Sequence, residues 1–260
     1  MTATPLAPAD TIAGLIKGLA VLESFGTERQ RLSVTQAAER AGITRAAARR
    51  HLLTLAHLGY VETDGHHHYW LAARVLRLAG AYLASARLPR AVQPTLNRLA
   101  AETQDVYSVA VLDGDEVVIV ARSAGLAPAN PLLAYGRHLG ARLPAHTTST
   151  GRVLLAALPP AERAAWLKGR VLPRLTPHTV TAPRAFRALL ARVATEDCCV
   201  AADENELGVH AVAVPLRTPQ GQTVAALNVV LAPGQLAAAP LAAHILPRLR
   251  DAASEIRQLL

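Results

Sequence analysis

Arg45, Arg49 and Arg50, in the stretch TRAAARRHLLTL, are the residues with the plainest chemical use. At 100° per residue they share one side of a helix with Ala46, while Ala48, Leu52, Leu55 and Leu58 fall on the other. Such a helix packs on its own domain by one face and offers the other to the major groove of DNA. There a guanidinium pairs with guanine O6 and N7 or meets phosphate, and Ala46 meets a thymine methyl. Thr35, Thr44, Arg45, Ala46, Arg49, Arg50, His66 and His67 are the candidate contacts. The run His66-His67-His68 favours phosphate over metal, because a strand sends neighbouring side chains to opposite faces.

Other reactive residues point to less. Ser149 and His146 suggest a nucleophile and its base, but they lie three apart without a G-x-S-x-G elbow or an evident third member. No phosphate-cradling glycine loop is present. Cys198 and Cys199 are adjacent, which disfavours a mutual disulfide, and their flanking Glu196, Asp197, Asp203 and Glu204 do not favour a thiolate. Both read as buried structural thiols. No catalytic residue, metal site or cofactor is expected.

The elements around the arginines decide between a DNA-reading helix and an ordinary amphipathic one. Ser33-Val34-Thr35-Gln36 has the form of a capping box opening a short helix, Gly42 breaks it, and Thr44 caps a second helix from Arg45 to about Leu58, stopped by Gly59. Tyr60 to Thr63 and Tyr69 to Leu71 alternate around Asp64-Gly65, a hairpin signal. Together they spell a helix-turn-helix followed by a wing.

The chain has 260 residues and a net charge of +8, enough for two domains and favourable to a polyanion partner. No apolar run reaches the length of a membrane span and no signal-peptide pattern opens the chain, so a cytoplasmic protein is expected. Residues 1–10 read as a disordered arm, with Asp10 as a helix cap. Ile12, Leu15, Ile16, Leu19, Leu22 and Phe25 recur at helical spacing, as though packed beneath the recognition pair. Ala72 to Arg87 reads as a linker helix ending before Pro89, and Arg90 to Thr103 as the next helix.

The period then changes to that of strands. Val106 to Leu112 and Glu116 to Arg122 form one hairpin, and Val209 to Leu216 with Thr223 to Leu231 another. Leu132 to Tyr135 is a candidate short strand. Helices are expected over His146 to Leu158, Ala161 to Lys168, Ala182 to Thr195 and Leu236 to Leu260. The fold class is α+β, with domains at 11–72 (winged helix-turn-helix), 73–88 (linker helix) and 89–260.

Three stretches, GITRAAARRHLLTLAHLGYV, GARLPAHTTSTGRVLLA and ADENELGVHAVAVPLRTPQGQTVAALNVV, resemble the IclR family of bacterial transcription regulators over nearly the whole chain from Thr11. They look most like the subgroup controlling aromatic acid catabolism. The resemblance implies a GAF-like effector domain with an antiparallel sheet, assembly as a homodimer or dimer of dimers, and an operator as the double-stranded DNA partner. It also implies an effector pocket at Leu132, Tyr135, Leu143, Ser149, Thr150, Val209, Ala211 and Asn228. Ser149 and Thr150 at a helix start favour a carboxylate, hence a small organic acid, and Arg142 adds charge if it points inward. The chain departs from the family at Asp197-Cys198, where relatives carry Gly and an aromatic residue, and at Ala201, Ala202 and Ala211, changes expected to reshape the pocket floor. Two alternatives stand beside this reading: an enzyme acting on a small acid, and an architectural DNA binder without a ligand.

Overall fold

The computed structural model describes residues 7–26, 30–123, 138–231 and 241–260. The chain divides into two compact units, Met1–Tyr82 and Leu83–Leu260.

In the first unit, α1 (Ala13–Glu23), α2 (Val34–Arg40) and α3 (Arg45–His57) surround a core of Val21, Phe25, Leu32, Ala37, Leu52, Leu55, Val61 and Tyr69. The capping box forms as expected. Gln36 N–H donates to Ser33 Oγ at 3.3 Å and Ser33 N–H to Gln36 Oε1 at 2.9 Å, satisfying two donors that the helix itself leaves open. Gly42 and Gly59 take φ of +63° and +75°, which suit glycine and close both helices sharply. Strands β2 (Val61–Thr63) and β3 (His68–Leu71) make the wing hairpin, and a two-residue β1 (Leu32–Ser33), too short to leave a periodic signal, adds a third strand beside β3.

Only the C-terminal end of the expected apolar stripe, Leu22 in part and Phe25, faces the core. Ile12, Leu15, Ile16 and Leu19 are 47–72% exposed, and the core contact comes from Val21 and Phe25. Asp10 ends a short 3-10 turn, Pro8–Asp10, where a disordered arm was expected, and the residue before α1 is Ile12, which supplies no side-chain cap. Leu58 lies past the end of α3 and is exposed, not buried with Leu55.

Helix α4 (Leu76–Ser85) follows a 3-10 turn at Ala73–Val75. Helix α5 (Arg87–Thr103) starts three residues earlier than its sequence pattern suggests. Pro89 falls in its first turn, where the missing N–H has no intrahelical acceptor to lose.

The second unit is built on an antiparallel sheet, six-stranded among the described residues. Its strands are β4 (Val106–Asp113), β5 (Glu116–Arg122), β6 (Arg142–Pro144), β7 (Cys199–Ala202), β8 (His210–Arg217) and β9 (Thr223–Leu231), in the order β6-β5-β4-β9-β8-β7. Helices cover both faces. On one, Leu96 and Leu99 of α5 and Leu249 and Ile256 of α9 (Leu246–Arg257) meet Tyr107, Val109, Val212, Val214 and Leu227. A π-helical turn, Leu241–Ile245, precedes α9; the expected start of that helix at Leu236 lies outside the described residues.

On the other face lie α6 (Ser149–Ala157), α7 (Pro160–Leu167) and α8 (Pro183–Glu196), whose Val153, Leu155, Phe186 and Leu190 pack on Ala110, Val117, Ala213 and Ala226. Strand alternation sends Val109 to one core and Ala110 to the other. Helix α6 begins at Ser149, not His146, because Thr148 Oγ1 accepts from Gly151 N–H at 3.2 Å and caps it.

Candidate functional site

In the first unit Thr35, Thr44, Arg45, Ala46, Arg49, Arg50, His66 and His67 all reach the surface, while Ala48, Leu52 and Leu55 are buried on the opposite side of α3. None of the three arginines has an ion-pair partner among the described residues, so their charge is available to an anion. The wing tip is ordered by a residue whose role the sequence pattern does not reveal. Asp64 Oδ1 accepts from the backbone N–H of His66 and His67, both at 2.9 Å, and of His68 at 3.1 Å. Its other oxygen lies 3.2 Å from His68 Nδ1. The backbone bonds, that from His68 first, hold the carboxyl well below the usual carboxylate range. One side chain thereby fixes the loop that displays His66 and His67.

In the second unit a cavity opens between the sheet and the start of α6. The empty space there, open solvent at the mouth included, is about 560 Å³. The sheet contributes Ser108, Ala110, Val117, Ile119, Ala201, Ala211, Asn228 and Val230, and the roof includes Leu143, Ser149 and Thr150. Leu143, Ser149, Thr150, Val209, Ala211 and Asn228 are therefore brought together, as the pocket reading requires of them. Leu132 and Tyr135 lie outside the described residues.

Arg142 is not with them. Its guanidinium lies on the half-exposed edge, 2.7 Å from Glu116 Oε2 and 3.0 Å from Asp113 Oδ2, and the hydrogen bond to Glu116 raises its pKa further. The reason is strand alternation: on β6, Leu143 faces inward and Arg142 cannot. The Asp197-Cys198 departure is also off the floor. Asp197 closes α8 at φ +57°, a left-handed position that Gly fills most easily and Asp tolerates, and it pairs with Arg217. Ala201 and Ala211 do line the cavity; Ala202 does not.

Ser149 and Thr150 are 2% and 5% exposed, and their hydroxyls have no protein partner among the described residues. They occupy the first two positions of α6, whose N–H groups have no intrahelical acceptor. Gly151 permits this geometry. A Cβ there would sit 2.6 Å from the Ala145 carbonyl carbon and nearer still to its oxygen, so the helix start rests directly on backbone.

Beneath the roof is a group that the sequence did not disclose. Arg152 is fully buried and makes a bidentate pair with Glu204, a cavity-lining residue, while its Nε donates to His146 O at 2.8 Å. Glu204 Oε2 also accepts from Val180 N–H at 3.2 Å, and its carbonyl accepts from Thr179 Oγ1 at 2.7 Å. The loop after β7 is thus tied both to α6 and to the segment before α8.

His146 is turned to structure. Its Nε2 donates to Pro173 O at 2.9 Å, and no hydrogen bond joins it to Ser149. Burial pushes its imidazole pKa below the ordinary value of 6.5. At pH values between its folded and unfolded pKa, the unfolded chain binds a proton that the folded chain refuses, so stability falls as pH drops below about 6.5. Thermal melts from about pH 8 to about pH 5 should show a shallower loss in His146→Gln than in the wild type; equal slopes would remove His146 from the acid response. The thiols of Cys198 and Cys199 are buried and pushed up, Cys199 to about 11, so neither supplies a thiolate at neutral pH.

An exposed basic recognition helix with a wing, on the same chain as a cavity roofed by buried hydroxyls, defines the class of one-chain, ligand-binding DNA regulators. Family models agree: the IclR helix-turn-helix domain matches residues 14–65, and the bacterial transcriptional regulator IclR C-terminal domain matches residues 80–258. The chain belongs to the IclR family of bacterial transcriptional regulators. It is 48% identical over 251 residues to the Pca operon regulatory protein of Acinetobacter baylyi, covering 96% of this chain and 90% of that one. It is 49% identical over 252 residues to the p-hydroxybenzoate hydroxylase transcriptional activator of the same organism, covering 96% and 93%. A solved IclR homologue from Microbacterium hydrocarbonoxydans complexed with 4-hydroxybenzoate superposes with a TM-score of 0.72 at 28% identity, covering 95% of this chain and 99% of that one.

Proposed function

We propose that the protein senses a small aromatic carboxylate and changes its affinity for an operator in response. The observation that carries this is the pair of buried hydroxyls, Ser149 and Thr150, unpartnered among the described residues, at the open N-terminus of α6 above an otherwise largely apolar cavity. Free N–H groups, the helix dipole and two hydroxyl donors suit a carboxylate, and the apolar side chains of the lining suit a ring. The names of the two Acinetobacter relatives and the 4-hydroxybenzoate bound by the Microbacterium homologue support the aromatic class.

In this reading residues 11–72 bind DNA, 73–88 link, and 89–260 bind effector and assemble the oligomer. The exposed stripe of Ile12, Leu15, Ile16 and Leu19 on α1 favours a homodimer, alone or paired into a dimer of dimers, since a lone monomer gains nothing by showing it to water. The effector biases the spacing of two recognition helices, and the operator responds as to any two-state equilibrium. The setting is the bacterial cytoplasm, and no described helix is long and apolar enough to cross a membrane.

Titration of a fluorescent fragment of the promoter next to the protein's own gene, with and without benzoate-type acids, tests the whole reading. Arg45→Ala and Arg49→Ala should each lower operator affinity. A lost guanine contact costs about 1–3 kcal/mol and relaxes specificity, whereas a lost phosphate contact lowers the salt slope by about 1. Ser149→Ala should blunt the response to the acid. Unchanged operator affinity in the double arginine variant would overturn the DNA half of the reading, and an acid panel without effect would overturn the sensing half.

A further inference from the structure

A basic notch lies between α1 and α3 in the first unit, lined by Gly14, Lys17, Ala47, Arg50, His51 and Thr54. At 100° per residue Gly14 and Lys17 fall on the other side of α1 from the exposed stripe of Leu15, Ile16 and Leu19. The two helices meet closely there, and a Cβ added at Gly18 would sit 3.6 Å from His51 Nδ1. The notch's donors are uncommitted. The side chains of Lys17, Arg50 and His51 have no ion pair or hydrogen bond among the described residues, and no carboxylate lines the notch. Only the Thr54 hydroxyl is engaged, donating to Arg50 O at 2.9 Å. An ammonium and a guanidinium that nothing neutralises, beside an imidazole that carries an N–H in either tautomer, suit an oxyanion.

The position of the notch says which oxyanion. Around α3 at 100° per residue, Arg45 and Arg49 stand on one flank, Ala46 comes next, Arg50 follows, and the notch lies beyond it. A recognition helix seated in the major groove has base edges under its middle and a sugar–phosphate strand along each flank. Arg45 and Arg49 therefore face one strand and the notch faces the other. We infer that Lys17, Arg50 and His51 clamp a backbone phosphate of that second strand, so that α1 belongs to the DNA-binding surface and Arg50 positions the helix instead of reading a base. The inference rests on α3 being the recognition helix. Such a contact carries no sequence information but fixes register and orientation on the duplex.

Methylphosphonate linkages, which replace one charged phosphate oxygen by a methyl, test the clamp when placed singly along each strand of an operator fragment and titrated with the full chain. Wild-type affinity should fall about 10-fold at the clamped position. In the Lys17→Gln, Arg50→Gln double variant that position should lose its penalty, while positions facing Arg45 and Arg49 keep theirs. The double variant should also bind operator and random-sequence duplex more weakly by the same factor, with a salt slope shallower by about 1 per DNA-bound copy. Gly14→Glu is an independent variant. A Cβ there meets no described atom within 4 Å, an acidic side chain suits the first turn of a helix, and its carboxylate would take the place of the phosphate. It should melt no lower than wild type and lose the same methylphosphonate penalty. Lys168→Gln, which removes one charge from the second unit, is the control. A methylphosphonate profile unchanged in both folded variants overturns the clamp and leaves the recognition helix standing, as does an equal loss of affinity in Lys168→Gln, which would make the effect one of net charge. Saturable binding of inorganic phosphate without DNA, lost in the same variants, would assign the notch to a free anion instead. A wild type that binds no operator fragment removes the recognition helix and the clamp together.

Discussion

Glu204→Ala should destabilise the second unit by about 3–5 kcal/mol, because it strands a buried guanidinium. Arg152 has no exposed surface, and Glu204 is its carboxylate partner. The remaining contacts of Arg152, Nε on His146 O and the Phe186 ring at 6.0 Å, do not neutralise a full charge. Urea unfolding is the measurement. Glu204→Gln should lose less, since an amide still accepts one hydrogen bond. Arg152→Met with Glu204→Leu should recover part of the loss, because the pair's own desolvation cost disappears together with the charge. An alanine variant within about 0.5 kcal/mol of wild type would falsify the pairing. The same variants bear on sensing, because the Glu204 backbone and side chain are the ties that Thr179 and Val180 hold. Loosening that wall should weaken effector binding beyond the effect on stability.

Gly151→Ala is the second large effect, and its sign runs against ordinary expectation. In a helix, alanine is normally favoured over glycine by about 1 kcal/mol. Here the new methyl would enter the Ala145 backbone, and Ala145 is itself buried and fixed by its N–H to Asp115 O at 2.9 Å. Overpacking of that kind costs about 1–3 kcal/mol, so the clash outweighs propensity. A control sits in the same chain: a methyl added at Gly80 in α4 would meet no described atom within 4 Å, and Gly80→Ala should be neutral or stabilising. Gly151→Ala should also lose effector affinity, since relief of the clash moves Ser149 and Thr150. A variant as stable as wild type and with wild-type affinity would mean that the Ala145 segment yields freely.

The parts of this architecture that are local in origin were legible in the sequence. Ser33 and Gln36 announce their helix by chemistry that acts over three residues, and Gly42 and Thr44 mark the turn by conformational preference and capping alone. The long strands showed their period. The two- to four-residue strands β1, β6 and β7 did not: so few residues carry little alternation, and no turn pair of the Asp64-Gly65 kind, which marks the equally short β2 and β3, joins them to a neighbour. The stripe on α1 was visible, yet a stripe looks the same whether it meets the chain's own core or another molecule. The pocket showed a similar limit. Arg142 drew attention as the cation beside a motif, although Leu143 pointing inward already implied the opposite for its neighbour. Arg152, three residues after Ser149 on the same helix face, had a local signal, but its partner is 52 residues away and no spacing rule connects them.

Ala110, Ala201 and Ala211 give the cavity its floor by what they lack. Their strands are held by backbone pairing, so their positions do not depend on how large their side chains are. A methyl or two added at any of them subtracts from the space offered to a ring and leaves the carboxylate anchor and the Arg152–Glu204 tie in place. Ligand range is therefore adjustable separately from ligand capture, and a lineage can retune which ring it accepts by exchanging alanine for valine without rebuilding the sensor.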